Sequence, residues 1–123
     1  FLDRVAYACA ARYSRCYVVT LSIDHVVFKQ PIYVGELVTC LAHVNYVGNT
    51  SMEVGIKVVA EDLISGKKRH TNSCFFTMVA IDKNGTPTKI KPLEIDNEQD
   101  RLRYEEAKAR REMRHAMHKR TKP

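Results

Sequence analysis

The hydrophobic pattern of this chain changes from a helical to a strand period near residue 16, and that change restricts the residues up to about 96 to a helix laid against a sheet. In residues 1–14, FLDRVAYACAARYS, the residues Leu2, Val5, Ala6, Cys9, Ala10 and Tyr13 follow the i, i+3, i+4, i+7, i+8 stripe of a helix buried on one side. Ala8, Ala10 and Ala11 keep that helix thin enough to lie close to a sheet, and Arg4, Arg12 and Arg15 fall on the other side. From residue 17 the period is two. YVVTLSID sets Val19, Leu21 and Ile23 against Val18, Thr20, Ser22 and Asp24. HVVFKQPIYVGE continues extended, with Pro31 marking an edge or bend and Gly35 a turn.

The next strand, LVTCLAHVNYV, places Val38, Cys40, Ala42, Val44 and Tyr46 on one face and Thr39, His43 and Asn45 on the other. Gly48-Asn49 is a tight hairpin signal. SMEVGIKVVAED returns with Met52, Val54, Ile56 and Val58 inward and Glu53 and Lys57 outward. A second exposed turn follows at Ser65-Gly66, bordered by Lys67, Lys68 and Arg69. HTNSCFFTMVAID is apolar on both faces from Cys74 onward, as a central strand is, and Asn84-Gly85 and Pro87 close it. The expected fold class is therefore α+β: one strongly curved antiparallel sheet of about four strands on one helix. Strands apolar on both faces also predict an oligomer.

Residues 97–123 differ in kind. They carry 9 basic and 5 acidic side chains, against 11 and 9 in residues 1–96, so most of the net charge of +6 lies in the tail. Residues 98–120 read as a charged helix, acidic at its start and basic at its end, which complements the helix dipole. Its narrow apolar stripe is Leu102, Ala109, Met113 and Ala116, and it is expected to lie on the domain or on a neighbouring subunit. Nucleic acid is not the expected partner, because Glu105, Glu106 and Glu112 interrupt the positive field and Tyr104 is the tail's one aromatic residue. No apolar run approaches the roughly 18 residues of a membrane helix, so no membrane span is expected. Cys9, Cys16, Cys40 and Cys74 form no C-x-x-C pair and read as reduced thiols of a cytoplasmic protein, without a metal site. The chain starts at Phe1, inside the helical pattern, and reads as a fragment.

No nucleophile elbow, phosphate loop, zinc-protease helix or dinucleotide fingerprint is present. His25, His43 and His70 lie in or beside strands, and His115 and His118 belong to the charged tail; none has a partner that suggests catalysis. Asp3 is different. It sits at the border of the buried stripe in the first helical turn, where partial burial and the helix N-terminus act on it in opposite directions. A carboxylate so placed is either a plain helix-start acid or a general base or nucleophile.

Four segments in order, L-D-x-V-A-Y, F-x-x-P-x-x-x-G-[DE], T-S-M-E-[VI] and N-S-x-F-x-T-M-V-A-[IV]-D, stand here as LDRVAY, FKQPIYVGE, TSMEV and NSCFFTMVAID. Together they resemble the hotdog-fold acyl-CoA thioesterases, specifically the bacterial hexameric acyl-CoA hydrolase group similar to cytosolic long-chain acyl-CoA hydrolases. RLRYEEAKARREMR resembles the C-terminal helix of that group. The resemblance implies a long central helix wrapped by a curved antiparallel sheet. Residues 1–96 would be the thioesterase domain, lacking its N-terminal strand and loop, and residues 97–123 a basic helical extension. It implies hydrolysis of medium- to long-chain acyl-CoA at a seam between two subunits that pair edge to edge, three such pairs forming a hexamer. A non-catalytic hotdog module that binds acyl-CoA or acyl carrier protein is the alternative.

By that resemblance Asp3 is the catalytic carboxylate, as base for water or as direct nucleophile. The family's Asn and its following His-Gly-Gly stretch have no counterpart in this sequence. Lys68 and Arg69, with the Asn49-Thr50-Ser51 hairpin, are candidates for coenzyme A contacts, although each also fits ordinary turn chemistry. Phe28, in the F-x-x-P segment, is either a substrate contact or core. Tyr7, Val5 and Met52 are candidate walls for an acyl tunnel. No cofactor is expected, coenzyme A being part of substrate and product.

Overall fold

The computed structural model describes residues 2–28 and 30–121, the side chains of 24–28 and 118–121 apart. Helix α1 (Leu2–Ser14) leads into β1 (Tyr17–Phe28), β2 (Glu36–Val47), β3 (Ser51–Asp62) and β4 (Lys68–Ile81), and α2 (Glu98–Thr121) follows a link of irregular chain. Helix α1 touches all four strands. The alanines make this possible: Ala6 and Ala10 are fully buried, so the helix axis comes close to the sheet without displacing side chains. Arg15, with φ of 60°, ends the helix in a left-handed cap, and its N–H donates to the Ala11 carbonyl.

All strand pairs are antiparallel and the order is β1-β4-β3-β2. The doubly apolar strand β4 is central, as its sequence predicts. β1 and β2, adjacent along the chain, lie on opposite edges. Between α1 and the sheet the core is Met52, Val54, Ile56 and Val58 of β3 with Cys74, Phe76, Met78 and Ala80 of β4, closed at one side by Ile90.

Two expectations of strict alternation fail at bulges. The β1–β4 register slips between Thr20 and Ser22 and again between Ile23 and His25, so Ile23 stands opposite the core residue Phe76 and joins the helix-side face. In β2 the register slips between Val44 and Tyr46. Tyr46 is therefore opposite Glu53 on the outer face, not with Val44, and its ring lies 4.9 Å from that of Tyr104 in α2.

Helix α2 covers part of that outer face, with a different side from the one its apolar residues suggest. Leu102 and Met113 are exposed, whereas Ala107 is buried and Tyr104, Arg110 and Arg111 face the sheet. The sheet dictates this choice. Its outer face presents Glu53, Asn45, Tyr46 and Phe75, a polar and aromatic surface that a guanidinium and a phenol match better than an aliphatic stripe does. Glu53, outward as predicted, is buried beneath α2: its carboxylate accepts from Arg110 Nη2 (2.6 Å), Arg110 Nε (3.0 Å) and Asn45 Nδ2 (3.1 Å).

Candidate functional site

Asp3 lies in the first turn of α1, where unpaired backbone N–H groups and the helix dipole favour negative charge. β1 runs back along the helix and brings Thr20 beneath it. The Thr20 hydroxyl donates to Asp3 Oδ1 at 3.0 Å and lies 3.5 Å from Met78 Sδ. Among the described residues Thr20 is the side chain that holds this carboxylate. One oxygen is thereby oriented, and the other remains for a proton or an electrophile. Sequence reasoning did not select Thr20; alternation groups it with Val18, Ser22 and Asp24 on one face of the strand and does not say which face meets the helix.

The expected half-burial of Asp3 does not hold in the single chain, where the residue is exposed. Its turn overhangs the edge strand β1 and not the middle of the sheet. Further along the same edge strand as Thr20, Leu21 and Ile23 are 66% and 53% exposed, large apolar side chains on an edge unpaired in the single chain. A carboxylate, a hydroxyl and an apolar border thus meet where the sheet is open.

The other expected contacts do not converge on that point. Ser51 is opposite Val79, one step from the Met78–Thr20 pair, so the Asn49-Thr50-Ser51 hairpin lies at the same end of the sheet as Thr20. Asn49 and Thr50 use their carbonyls to accept from Ile90 and Ala80. Lys68 and Arg69 lie at the opposite end, about 30 Å along β4 at roughly 3.3 Å per residue. Lys68 is exposed. Arg69 is engaged within the protein: Nη2 donates to both Glu36 oxygens (2.6 and 2.7 Å), and Nη1 to Gln30 Oε1 (2.7 Å) and the Pro31 carbonyl (3.2 Å). The Arg69 guanidinium, helped by the Tyr33 N–H, holds the Glu36 carboxyl below the usual carboxylate range. The side chain of Phe28 lies outside the described residues.

Of the candidate tunnel walls, Met52 is buried core and Tyr7 is partly exposed. Val5 lines an apolar groove of about 710 Å³ between α1 and the free edge of β2, with Cys9, Tyr13, Ala42, Val44 and Leu93. That groove is on the far side of the sheet from Thr20. His43 Nε2 is 3.7 Å from Asp100 Oδ1 of α2, and His70 Nε2 is 2.7 Å from Ser73 Oγ; neither approaches Asp3. Burial pushes the thiols of Cys9, Cys40 and Cys74 up from their ordinary value, and all four cysteines are free. Among the described residues no helix is long and apolar enough to cross a membrane.

Residues 1–67 match the family described as the Thioesterase superfamily. Protein VdlD of Helicobacter pylori is 56% identical over 113 residues, covering 92% of this chain and 64% of that protein. The chain thus spans less than two-thirds of the length of this curated relative. An apo hexameric acyl-CoA thioesterase superposes with a TM-score of 0.90 at 36% identity, over 94% of this chain and 74% of that one. An acyl-CoA hydrolase from Staphylococcus aureus, solved with butyryl coenzyme A, coenzyme A and coenzyme A disulfide, superposes with a TM-score of 0.89 at 29% identity, over 98% of this chain and 73% of that one. Alanine variants of the same hydrolase have been solved at an aspartate and at a threonine 17 positions later.

Proposed function

This chain belongs to the thioesterase superfamily, with the hotdog fold of the acyl-CoA thioesterases, and from that premise we propose that it hydrolyses medium- to long-chain acyl-CoA in the cytoplasm with Asp3 as the reacting carboxylate. The observation that carries the reading is the Asp3–Thr20 hydrogen bond of 3.0 Å at the open edge of β1. Asp3 and Thr20 are 17 positions apart, the separation of the aspartate and threonine replaced in the Staphylococcus aureus hydrolase, which supports the same pair acting here.

Hydrolysis needs a nucleophile at the thioester carbonyl and a stabilised oxyanion. In one route the free Asp3 oxygen takes a proton from water as that water attacks the carbonyl carbon. The tetrahedral intermediate then expels the coenzyme A thiolate, which takes up the proton. In the other, Asp3 itself attacks, the thiolate leaves, and water cleaves the resulting anhydride. Thr20 orients the carboxylate in both. The first turn of α1 offers its dipole to the oxyanion. No resident cofactor takes part, since coenzyme A enters with the substrate and leaves with the product.

The exposed position of Asp3 in one chain fits a site completed by a second copy. We place two copies edge to edge along β1, with Leu21 and Ile23 lining the acyl path, and three such pairs in a hexamer. The Asn49-Thr50-Ser51 hairpin is the nearer coenzyme A contact. Lys68 and Arg69 serve a substrate in the same chain only if coenzyme A stretches the length of the sheet, and Arg69 would have to leave Glu36.

Asp3→Ala is expected to lower kcat at least about a hundredfold, while coenzyme A binding and assembly persist. Thiol release from C4 to C18 acyl-CoA measures this and sets the chain-length preference. A retained rate would remove Asp3 from the mechanism, and a wild-type chain that binds acyl-CoA without turnover would establish the binding module instead. Single-turnover hydrolysis in ¹⁸O-water tests the second route: an anhydride cleaved at the Asp3 carbonyl leaves ¹⁸O on Asp3 and a first product without it, whereas water attacking the thioester carbonyl puts ¹⁸O in the product.

A further inference from the structure

One contact of the Asp3 site lies on its buried side. In the β1–β4 register Thr20 stands opposite Met78, and the Thr20 hydroxyl is 3.5 Å from Met78 Sδ as well as 3.0 Å from Asp3 Oδ1. Met78 is fully buried among the core residues beneath α1. Packing by itself does not select a methionine there. Val18, Val54 and Ala80 of the same core are aliphatic, and leucine would fill nearly the same volume. What methionine adds is a polarisable sulfur that accepts a hydrogen bond weakly.

A hydroxyl has one proton to give and lone pairs to accept with. While Asp3 is ionised, the Thr20 proton belongs on the carboxylate, because a charged oxygen outcompetes a thioether. The base step reverses that order. Once Asp3 has taken a proton from water, its carboxyl is neutral. A proton on Oδ2 leaves Thr20 donating to a weaker acceptor. A proton on Oδ1 excludes the Thr20 proton from the line between the two groups. The hydrogen bond then has to turn round: Oδ1–H donates to Thr20 Oγ1, and the Thr20 hydroxyl needs another acceptor. Among the described residues that acceptor is Met78 Sδ. In the proposed pair the exposed side of Thr20 is closed to bulk water, and the sulfur on its buried side remains.

We propose that Met78 is a positioning residue for hydrolysis: its sulfur receives the Thr20 hydroxyl when Asp3 is protonated, so that the carboxyl can hold the proton until the coenzyme A thiolate takes it. The sulfur gains no proton and keeps its oxidation state. Only the direction of a hydrogen bond changes, and the proton runs from water to Asp3 to the thiolate. The inference rests on the reading of Asp3 as base for water, and its test separates the two.

Steady-state kinetics are compared for the wild type, Met78→Leu, Thr20→Val and the double variant, with thermal unfolding as a check on the core. Met78→Leu is expected to lower kcat about threefold, the contribution of a weak hydrogen bond. KM is expected to stay unchanged, because the sulfur is buried beneath α1 and away from the substrate. In the Thr20→Val background the same substitution is expected to leave kcat where it is. Norleucine incorporated in place of methionine removes the sulfur while keeping the shape, and it carries the test if Met78→Leu does not fold. It is expected to reproduce the threefold loss in wild type and to add none in Met78→Leu, where only the other methionines change. Equal losses with and without the Thr20 hydroxyl, or no loss on removing the sulfur, assign Met78 to packing and overturn the proposal, while an inactive Asp3→Ala leaves the reacting carboxylate standing. ¹⁸O found on Asp3 after one turnover in ¹⁸O-water overturns it as well, by taking the protonated carboxyl out of the path. A retained rate in Asp3→Ala overturns both readings.

Discussion

Arg110→Ala tests the packing of α2 most severely. Arg110 Nη2 and Nε reach both oxygens of Glu53, and the guanidinium carbon is 3.8 Å from the centre of the Phe75 ring. Side-chain exposure is 6% for Glu53 and 25% for Arg110. Removing the arginine takes both of its hydrogen bonds from a buried carboxylate that still accepts from Asn45 Nδ2. Breaking one partner of a buried pair costs about 3–5 kcal/mol, and the partial exposure of Arg110 argues for the lower end, about 3 kcal/mol. With an unfolding entropy of about 2.1 cal/mol/K per residue, 3 kcal/mol lowers Tm by roughly 12 °C in a chain of this length. Glu53→Met combined with Arg110→Met removes both charges and is expected to return to within about 1 kcal/mol of wild type. Thermal unfolding followed by circular dichroism at neutral pH measures all three proteins. An Arg110→Ala loss below about 3 °C, or a double variant no more stable than Arg110→Ala, would refute this account of the pair.

Ala10→Leu forces a large side chain between α1 and the sheet at a fully buried position, and a loss of about 1–3 kcal/mol in denaturant unfolding is expected; an unchanged midpoint would mean the helix is not closely seated. Glu36 has its carboxyl held below the usual range in the folded state, so its contribution is present above that range and is lost as pH falls through the lowered value. Urea midpoints at pH 7 and pH 3 should therefore fall further in wild type than in Glu36→Gln, and equal losses would remove the Arg69 pair from acid stability.

The helix stripe, the three turns and the core set of Met52, Val54, Ile56 and Val58 were legible because each depends on neighbouring residues. Asp3 was legible as a first-turn carboxylate. Its partner Thr20 is visible in the sequence only as a strand residue, since the contact joins segments that meet only when β1 folds back along α1. Strict alternation groups Tyr46 with Val44 and Ile23 with Val19, and the structure separates both pairs, because a bulge adds one residue to one strand and nothing in the local period marks it. The apolar stripe of α2 misled for another reason. Which side of a helix docks depends on what the opposing surface offers, and here that surface is Glu53, Asn45 and Phe75.

The sequence by itself determined which segments are helix and which are strand, the thinness of α1 and the central position of β4, because backbone geometry imposes the periods of 3.6 and 2 locally. Only the tertiary structure decided that β1 is left as an open edge, that Asp3 overhangs it beside Thr20, and that Arg69 is bound to Glu36. Those relations join residues far apart in the chain, and the packing of the whole sheet selects them.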